Sequence, residues 1–206
     1  EFIGRLGIGP DSKPTNRPVK ITALGNTLTK LLRLENKIEG AAAGRSHSVA
    51  WDNEGNIFSW GDNTDGKLGL QIERGFYLNK FEVYPQRVLI IMSQNNGIDQ
   101  ILEKIRVVSA SCGISHTCVL SDQGEIYTWG KPQSNNTQGQ KIPYKNLVLS
   151  MSLKFKHLGN FTPQRLTVYQ KESENKKEPF FIKVTCGPTH NAAIDQNGRL
   201  YTWGDA

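Results

Sequence analysis

Gly44-Arg45-Ser46-His47-Ser48-Val49-Ala50-Trp51-Asp52-Asn53-Glu54-Gly55-Asn56-Ile57-Phe58-Ser59-Trp60-Gly61 reads as a strand, a turn and a second strand. His47 to Trp51 forms the first strand. Asp52-Asn53-Glu54-Gly55 carries turn chemistry, and Gly55 supplies the positive φ that a tight hairpin needs. Ile57-Phe58-Ser59-Trp60 is β-branched and aromatic, a composition that packs well on a pleated surface.

The same stretch occurs three times. Gly, His, Gly, Trp and Gly fall at offsets 0, 3, 11, 16 and 17 in Gly44, His47, Gly55, Trp60 and Gly61, again in Gly113, His116, Gly124, Trp129 and Gly130, and again in Gly187, His190, Gly198, Trp203 and Gly204. The tryptophans recur after 69 and then 74 residues, with no gap needed inside any copy. Other columns keep their chemistry: Ile57, Ile126 and Leu200 share one, and Phe58, Tyr127 and Tyr201 the next. A supersecondary unit repeated at such a period signals a repeat architecture.

Weaker matches fill the segments between the hairpins. Asp62-Asn63-Thr64-Asp65-Gly66-Lys67-Leu68-Gly69 follows the first Trp-Gly, and Gly4-Arg5-Leu6-Gly7 matches its end. Pro85-Gln86-Arg87-Val88 matches Pro163-Gln164-Arg165-Leu166. Each tail can supply further strands, to about four per period, and a four-stranded unit repeated radially is a propeller blade. The approximate repeat units are 1–62, 63–131 and 132–206.

The pattern resembles the repeat of the regulator of chromosome condensation (RCC1) family. It follows that family's form through Gly44-x-x-His47, Phe58-Ser59-Trp60-Gly61, and Asn63-x-x-Gly66-Lys67-Leu68-Gly69. The resemblance implies an all-β fold, a partial propeller of about three four-stranded blades out of seven, with helix only in the insertions. The second copy departs from the pattern, because Trp129-Gly130 runs into Lys131-Pro132-Gln133 with no clean tail. Both periods are long for the family, so the repeats carry insertions, which in propellers map to loops on the faces.

Bulk composition agrees with a globular chain. Of 206 residues, 37% are hydrophobic and 21% charged, and 20 are glycine. Neither a membrane-length apolar run nor a signal-peptide pattern is present, which with the cysteine usage points to an intracellular protein, nuclear or cytoplasmic. The net charge of +6 is ordinary for a small soluble domain. Cys112, Cys118 and Cys186 form no Cys-x-x-Cys pair, and a sparse, odd set suits a reducing compartment. Cys112 and Cys186 share a column with Ala43, and Cys118 shares one with Val49 and Ala192. Those columns read as small apolar core positions, not as metal ligands.

His47, His116 and His190 share a column, so blade geometry predicts them buried, mutually distant and hydrogen-bonded each within its own blade. Trp60, Trp129 and Trp203 are expected to pack between blades. No nucleotide-, metal- or cofactor-binding motif and no nucleophile elbow occurs, which predicts no catalytic residue and no cofactor. One segment stands out. Residues 131–156 hold Lys131, Lys141, Lys145, Lys154 and Lys156, with Tyr144 and Phe155 among them and no acidic residue. Basic charge with interleaved aromatics can grip nucleic acid or an acidic protein surface, and a solvated loop is the plainer reading.

As function, the resemblance implies a non-catalytic protein-interaction platform. Two alternatives stand beside it: a guanine-nucleotide exchange factor for a Ran-type small GTPase with chromatin association, and a regulatory propeller fused to an enzyme outside this chain. A three-blade arc cannot close, so self-association through exposed end blades is expected.

Overall fold

The computed structural model describes residues 4–11, 13–22, 37–70, 80–95, 100–131, 160–166 and 178–204. Strands β1 (Ile38–Ala43), β2 (His47–Asp52), β3 (Ile57–Asp62) and β4 (Phe81–Val88) form an antiparallel meander in that spatial order. Strands β5 (Ile91–Asn95) and β6 (Gln100–Lys104) form a separate hairpin. Strands β7 (Val107–Cys112), β8 (His116–Ser121), β9 (Ile126–Gly130) and β10 (Asn160–Arg165) repeat the meander. Strands β11 (Phe181–Cys186), β12 (His190–Asp195) and β13 (Leu200–Gly204) form the third sheet.

The all-β propeller reading holds, and the hairpins turn at the expected glycines: Gly55, Gly124 and Gly198 have φ of +74°, +71° and +77°. The first two blades have four strands and the third has three among the described residues. The Pro-Gln-Arg tails are the fourth strands, since Gln86 pairs with Ser59 and Gln164 with Thr128. Proline fits there because an outer strand leaves one side of its backbone unpaired. Each of the first two blades thus takes its outer strand from the segment that follows its Trp-Gly.

Two local features depart from expectation. The one helical turn among the described residues, Thr64–Gly66, lies in a repeat tail and not in an insertion. It follows Asp62, whose carboxylate accepts from the backbone N–H and the hydroxyl of Thr64 and so starts the turn. The second is the β5–β6 hairpin, which has no counterpart in the repeat pattern. It is seated by Ile90 and Ile105 at its base, which are buried in the core, and Ile105 N donates to Ile90 O at 3.2 Å.

The apolar core lies between blades. One cluster joins Val49, Ile57 and Val88 of the first blade to Val107, Ala110, Val119, Tyr127 and Trp129 of the second. The other joins Cys118, Leu120 and Ile126 of the second to Phe181, Val184 and Ala193 of the third. Every residue of β8 is buried, because this middle strand of the middle blade is covered on both faces. Two of the turn glycines, Gly55 and Gly124, lie in the same seams. A Cβ on Gly55 would sit 2.2 Å from Arg106 Cγ, and one on Gly124 would sit 2.5 Å from the Phe180 ring. Their carbonyls accept from the next blade's first strand, Gly55 O from Val107 N and Gly124 O from Phe181 N.

Candidate functional site

The repeat signature converges on the seams. His47 Nε2 lies 2.9 Å from Thr117 Oγ1 in the next blade, and His116 Nε2 lies 2.8 Å from Asn191 Oδ1 in the blade after. The expectation of hydrogen bonds within each blade is therefore corrected: the imidazole reaches forward to the following repeat. The glycine three residues earlier makes room for it. A Cβ on Gly113 would sit 2.0 Å from His116 Cε1, and one on Gly187 would sit 2.3 Å from His190 Cε1. Gly-x-x-His thus sets an imidazole against a residue with no side chain.

The acceptor column is uniform as well. Ser48, Thr117 and Asn191 stand one residue after the histidine and are polar in every copy. Ser48 Oγ donates to Arg5 O at 3.1 Å, and Thr117 Oγ1 donates to Lys67 O at 2.9 Å. The same carbonyls accept the indole N–H of Trp60 and Trp129, at 3.0 and 2.9 Å. The tail of one repeat is therefore clipped to the next blade by a hydroxyl and a tryptophan. Leu68 between them is fully buried.

This chain of bonds fixes a tautomer. Thr117 gives its hydroxyl proton to Lys67 O, so it accepts from His47 Nε2–H. His47 Nδ1 then carries the lone pair, and it has no hydrogen-bond partner among the described residues. Burial, then the nearby Lys67 ammonium and His116, push the His47 pKa down to about 4, and Asp62 opposes them. His47 is neutral at pH 7. Lys67 is itself buried and pairs with Asp62 at 2.8 Å, while Ser46 Oγ touches both partners. Burial alone would raise the Asp62 pKa, but hydrogen bonds from Lys67 and Thr64 outweigh it and hold the carboxyl at about 2.

The third blade differs. His190 is exposed, whereas His47 and His116 are buried, so the expectation of three buried histidines fails for this one. No described residue covers the outer face of this blade. Leu200 is 68% exposed, while Ile57 and Ile126 in the same column are 1% exposed. Trp203 is half-buried, unlike Trp60 and Trp129.

Of the basic loop, Lys131 is described and exposed. Lys141, Lys145, Lys154 and Lys156 lie outside the described residues. The cysteines carry a signal that column reading missed. Cys118 is fully buried in the second seam, as a small apolar residue would be, but it faces Cys186 and His116 there. The pairing joins columns of two different repeats, so no single copy reveals it.

Two profiles of the "Regulator of chromosome condensation (RCC1) repeat" match this chain. One covers residues 54–120, and the other covers 38–67, 107–140 and 181–205. The chain belongs to the RCC1 repeat family. Among RCC1-repeat relatives it is similar to human "E3 ubiquitin-protein ligase HERC2", 32% identical over 98% of this chain and 3% of that protein. It is also similar to "Ultraviolet-B receptor UVR8" of Arabidopsis thaliana, 28% identical over 98% of this chain and 35% of that protein. It thus spans well under half the length of these curated relatives. Among solved structures it resembles Prp20p from Saccharomyces cerevisiae, with a TM-score of 0.52 and 24% identity over 88% of this chain and 38% of that one. That likeness establishes the RCC1 fold. Among the described residues no helix is long and apolar enough to cross a membrane.

Proposed function

We propose that this segment is a non-catalytic protein-interaction platform whose distinctive contacts come from its insertions. The observation that carries the reading is the use made of the repeat signature. Histidine, tryptophan, glycine and the polar column are hydrogen-bonded or packed into the seams, where they hold one blade to the next. Binding is then the task of the loops that differ between repeats. Relatives that share the repeat carry names as different as a ubiquitin ligase and an ultraviolet-B receptor, which suits a common scaffold with variable loops.

The strongest such loop is 131–156, with its five lysines, two aromatics and no carboxylate. Its partner chemistry is an anionic surface, either duplex DNA in chromatin or an acidic protein patch. Changing Lys141, Lys145, Lys154 and Lys156 together to Glu tests it, with binding to duplex DNA followed across a salt series. Wild-type affinity should fall steeply with salt, and the variant should bind weakly with a flatter slope. Equal affinity and equal slope would return the loop to a solvated role.

Guanine-nucleotide exchange is the second reading. The study of Prp20p concerns its binding to Gsp1p and histones, and this chain shares its fold. Nucleotide release from a Ran-type GTPase, measured with and without the protein that contains this chain, separates exchange from plain binding. A regulatory propeller joined to an enzyme is the third reading, and HERC2 is a relative named for such an activity.

A further inference from the structure

We propose that His116, Cys118 and Cys186 form a binding site for a thiophilic d10 cation, with Zn²⁺ as the fitting ion, across the seam between the second and third blades. Their donor atoms all lie within 4.8 Å of one another. Tetrahedral zinc, with bonds of about 2.3 Å to sulfur and about 2.0 Å to nitrogen, sets its ligands roughly 3.5 Å apart. The cluster needs to contract by only about an ångström to meet that geometry. Two thiolates and one imidazole are the soft donor set zinc prefers, and two thiolates neutralise its charge inside a low-dielectric seam.

The strands explain why the donors meet. His116 and Cys118 are two apart on β8, so they project from one face of the blade. Cys186 is at the end of β11 and crosses the seam toward them. Asn191 Oδ1 sits 2.8 Å from His116 Nε2 and 3.4 Å from Cys118 Sγ, so ligation through Nε2 exchanges the seam hydrogen bond to Asn191 for a bond to the metal and leaves that oxygen beside the ion. Cys186 is held in place by its own N–H, which donates to Ser111 Oγ at 2.9 Å, and its Sγ lies 3.3 Å from Ser111 O.

The first seam supplies an internal comparison. Its equivalent columns hold His47, Val49 and Cys112. One thiol is missing, because Val49 stands where the second seam has Cys118. Only the second seam, of the two described, assembles the full donor set. The comparison also supplies variants that the fold accepts. Cys118→Val copies the residue that stands in that column in the first blade, and Cys186→Ala copies Ala43.

The test is titration of the reduced protein with Co²⁺, followed by visible and near-ultraviolet absorption, then displacement with Zn²⁺. One equivalent of Co²⁺ should give the intense d–d bands of tetrahedral cobalt together with a thiolate-to-cobalt charge-transfer band. Added Zn²⁺ should abolish both. Cys118→Val and Cys186→Ala, each shown folded by circular dichroism, should lose the charge-transfer band, while Cys112→Ser should keep it. Wild-type protein that yields only the weak bands of octahedral cobalt overturns the proposal. A charge-transfer band that survives in both Cys118→Val and Cys186→Ala overturns it as well.

Discussion

Thr117 Oγ1 receives His47 Nε2 at 2.9 Å and passes its own proton to Lys67 O at 2.9 Å, so one hydroxyl joins a histidine of the first blade to the tail clipped on the second. The second seam reuses the plan with His116 and Asn191. A repeat column that could have been a metal or catalytic histidine is a coupling between neighbours. Repeat proteins gain stability from such nearest-neighbour terms as well as from each unit alone.

The neutral, buried state of His47 makes stability depend on pH. Its folded pKa of about 4 lies below the ordinary imidazole value of 6.5, which holds in the unfolded chain. Between those values the unfolded state binds the proton and the folded state does not. The stabilising contribution is therefore complete above about pH 6.5 and is lost as pH falls toward about 4, by on the order of 3 kcal/mol in all. The groups facing His47 are Lys67 and His116, which lower its pKa, and Asp62, which raises it. Urea unfolding between pH 4 and 7 checks this (a range of about three units around the transition). His47→Gln should flatten the slope, and an unchanged slope would show that His47 is not the source.

Gly124 and Gly198 have nearly the same positive φ but different surroundings. A Cβ on Gly124 meets the Phe180 ring at 2.5 Å, while nothing lies within 4 Å of one on Gly198. Gly198→Ala should cost only the backbone strain, about 1 kcal/mol. Gly124→Ala carries that strain and must also push Phe180 out of the seam, so it should cost about 1–3 kcal/mol more. Thermal unfolding of the two variants compares them, and equal midpoints would mean the seam yields freely.

Ile126 and Leu200 make a second matched pair. Ile126→Ala should destabilise by about 2–5 kcal/mol, because the side chain is enclosed by the third blade. Leu200→Ala should change stability by less than about 0.5 kcal/mol. Leu200, with Ile182 at 57% exposure, instead forms an exposed apolar surface that is expected to bring one copy against another. Light scattering at rising concentration should show wild-type self-association, and Leu200→Glu should reduce it. A wild-type chain that stays monomeric throughout would count against that surface.

Much of the fold was legible because the hairpin is local. Strand alternation, the turn glycine and the Trp-Gly bracket all fall within one copy, and the structure places them as a single sheet in each blade. The Pro-Gln-Arg tails were legible as strands only through their likeness to each other. The β5–β6 hairpin was not, since it has no counterpart in the other repeats. The histidine partners were hidden for a different reason. Thr117 is 70 residues from His47, and Asn191 is 75 from His116. Yet a signal existed: Ser48, Thr117 and Asn191 are polar next to Ala50, Val119 and Ala193 on the same strand face, and a polar column inside a core needs a partner. The cluster of His116, Cys118 and Cys186 had no such signal. It joins columns from two repeats, and alanine or valine occupies the cysteine columns elsewhere.

The claim that the signature histidine couples each blade to the next is tested most directly by a double-mutant cycle on His47 and Thr117. His47→Phe, Thr117→Val and the double variant are unfolded in denaturant beside the wild type. The structure predicts a coupling energy of about 1 kcal/mol, because each single change leaves one buried polar group without its partner. Strictly additive effects of the two substitutions would contradict it.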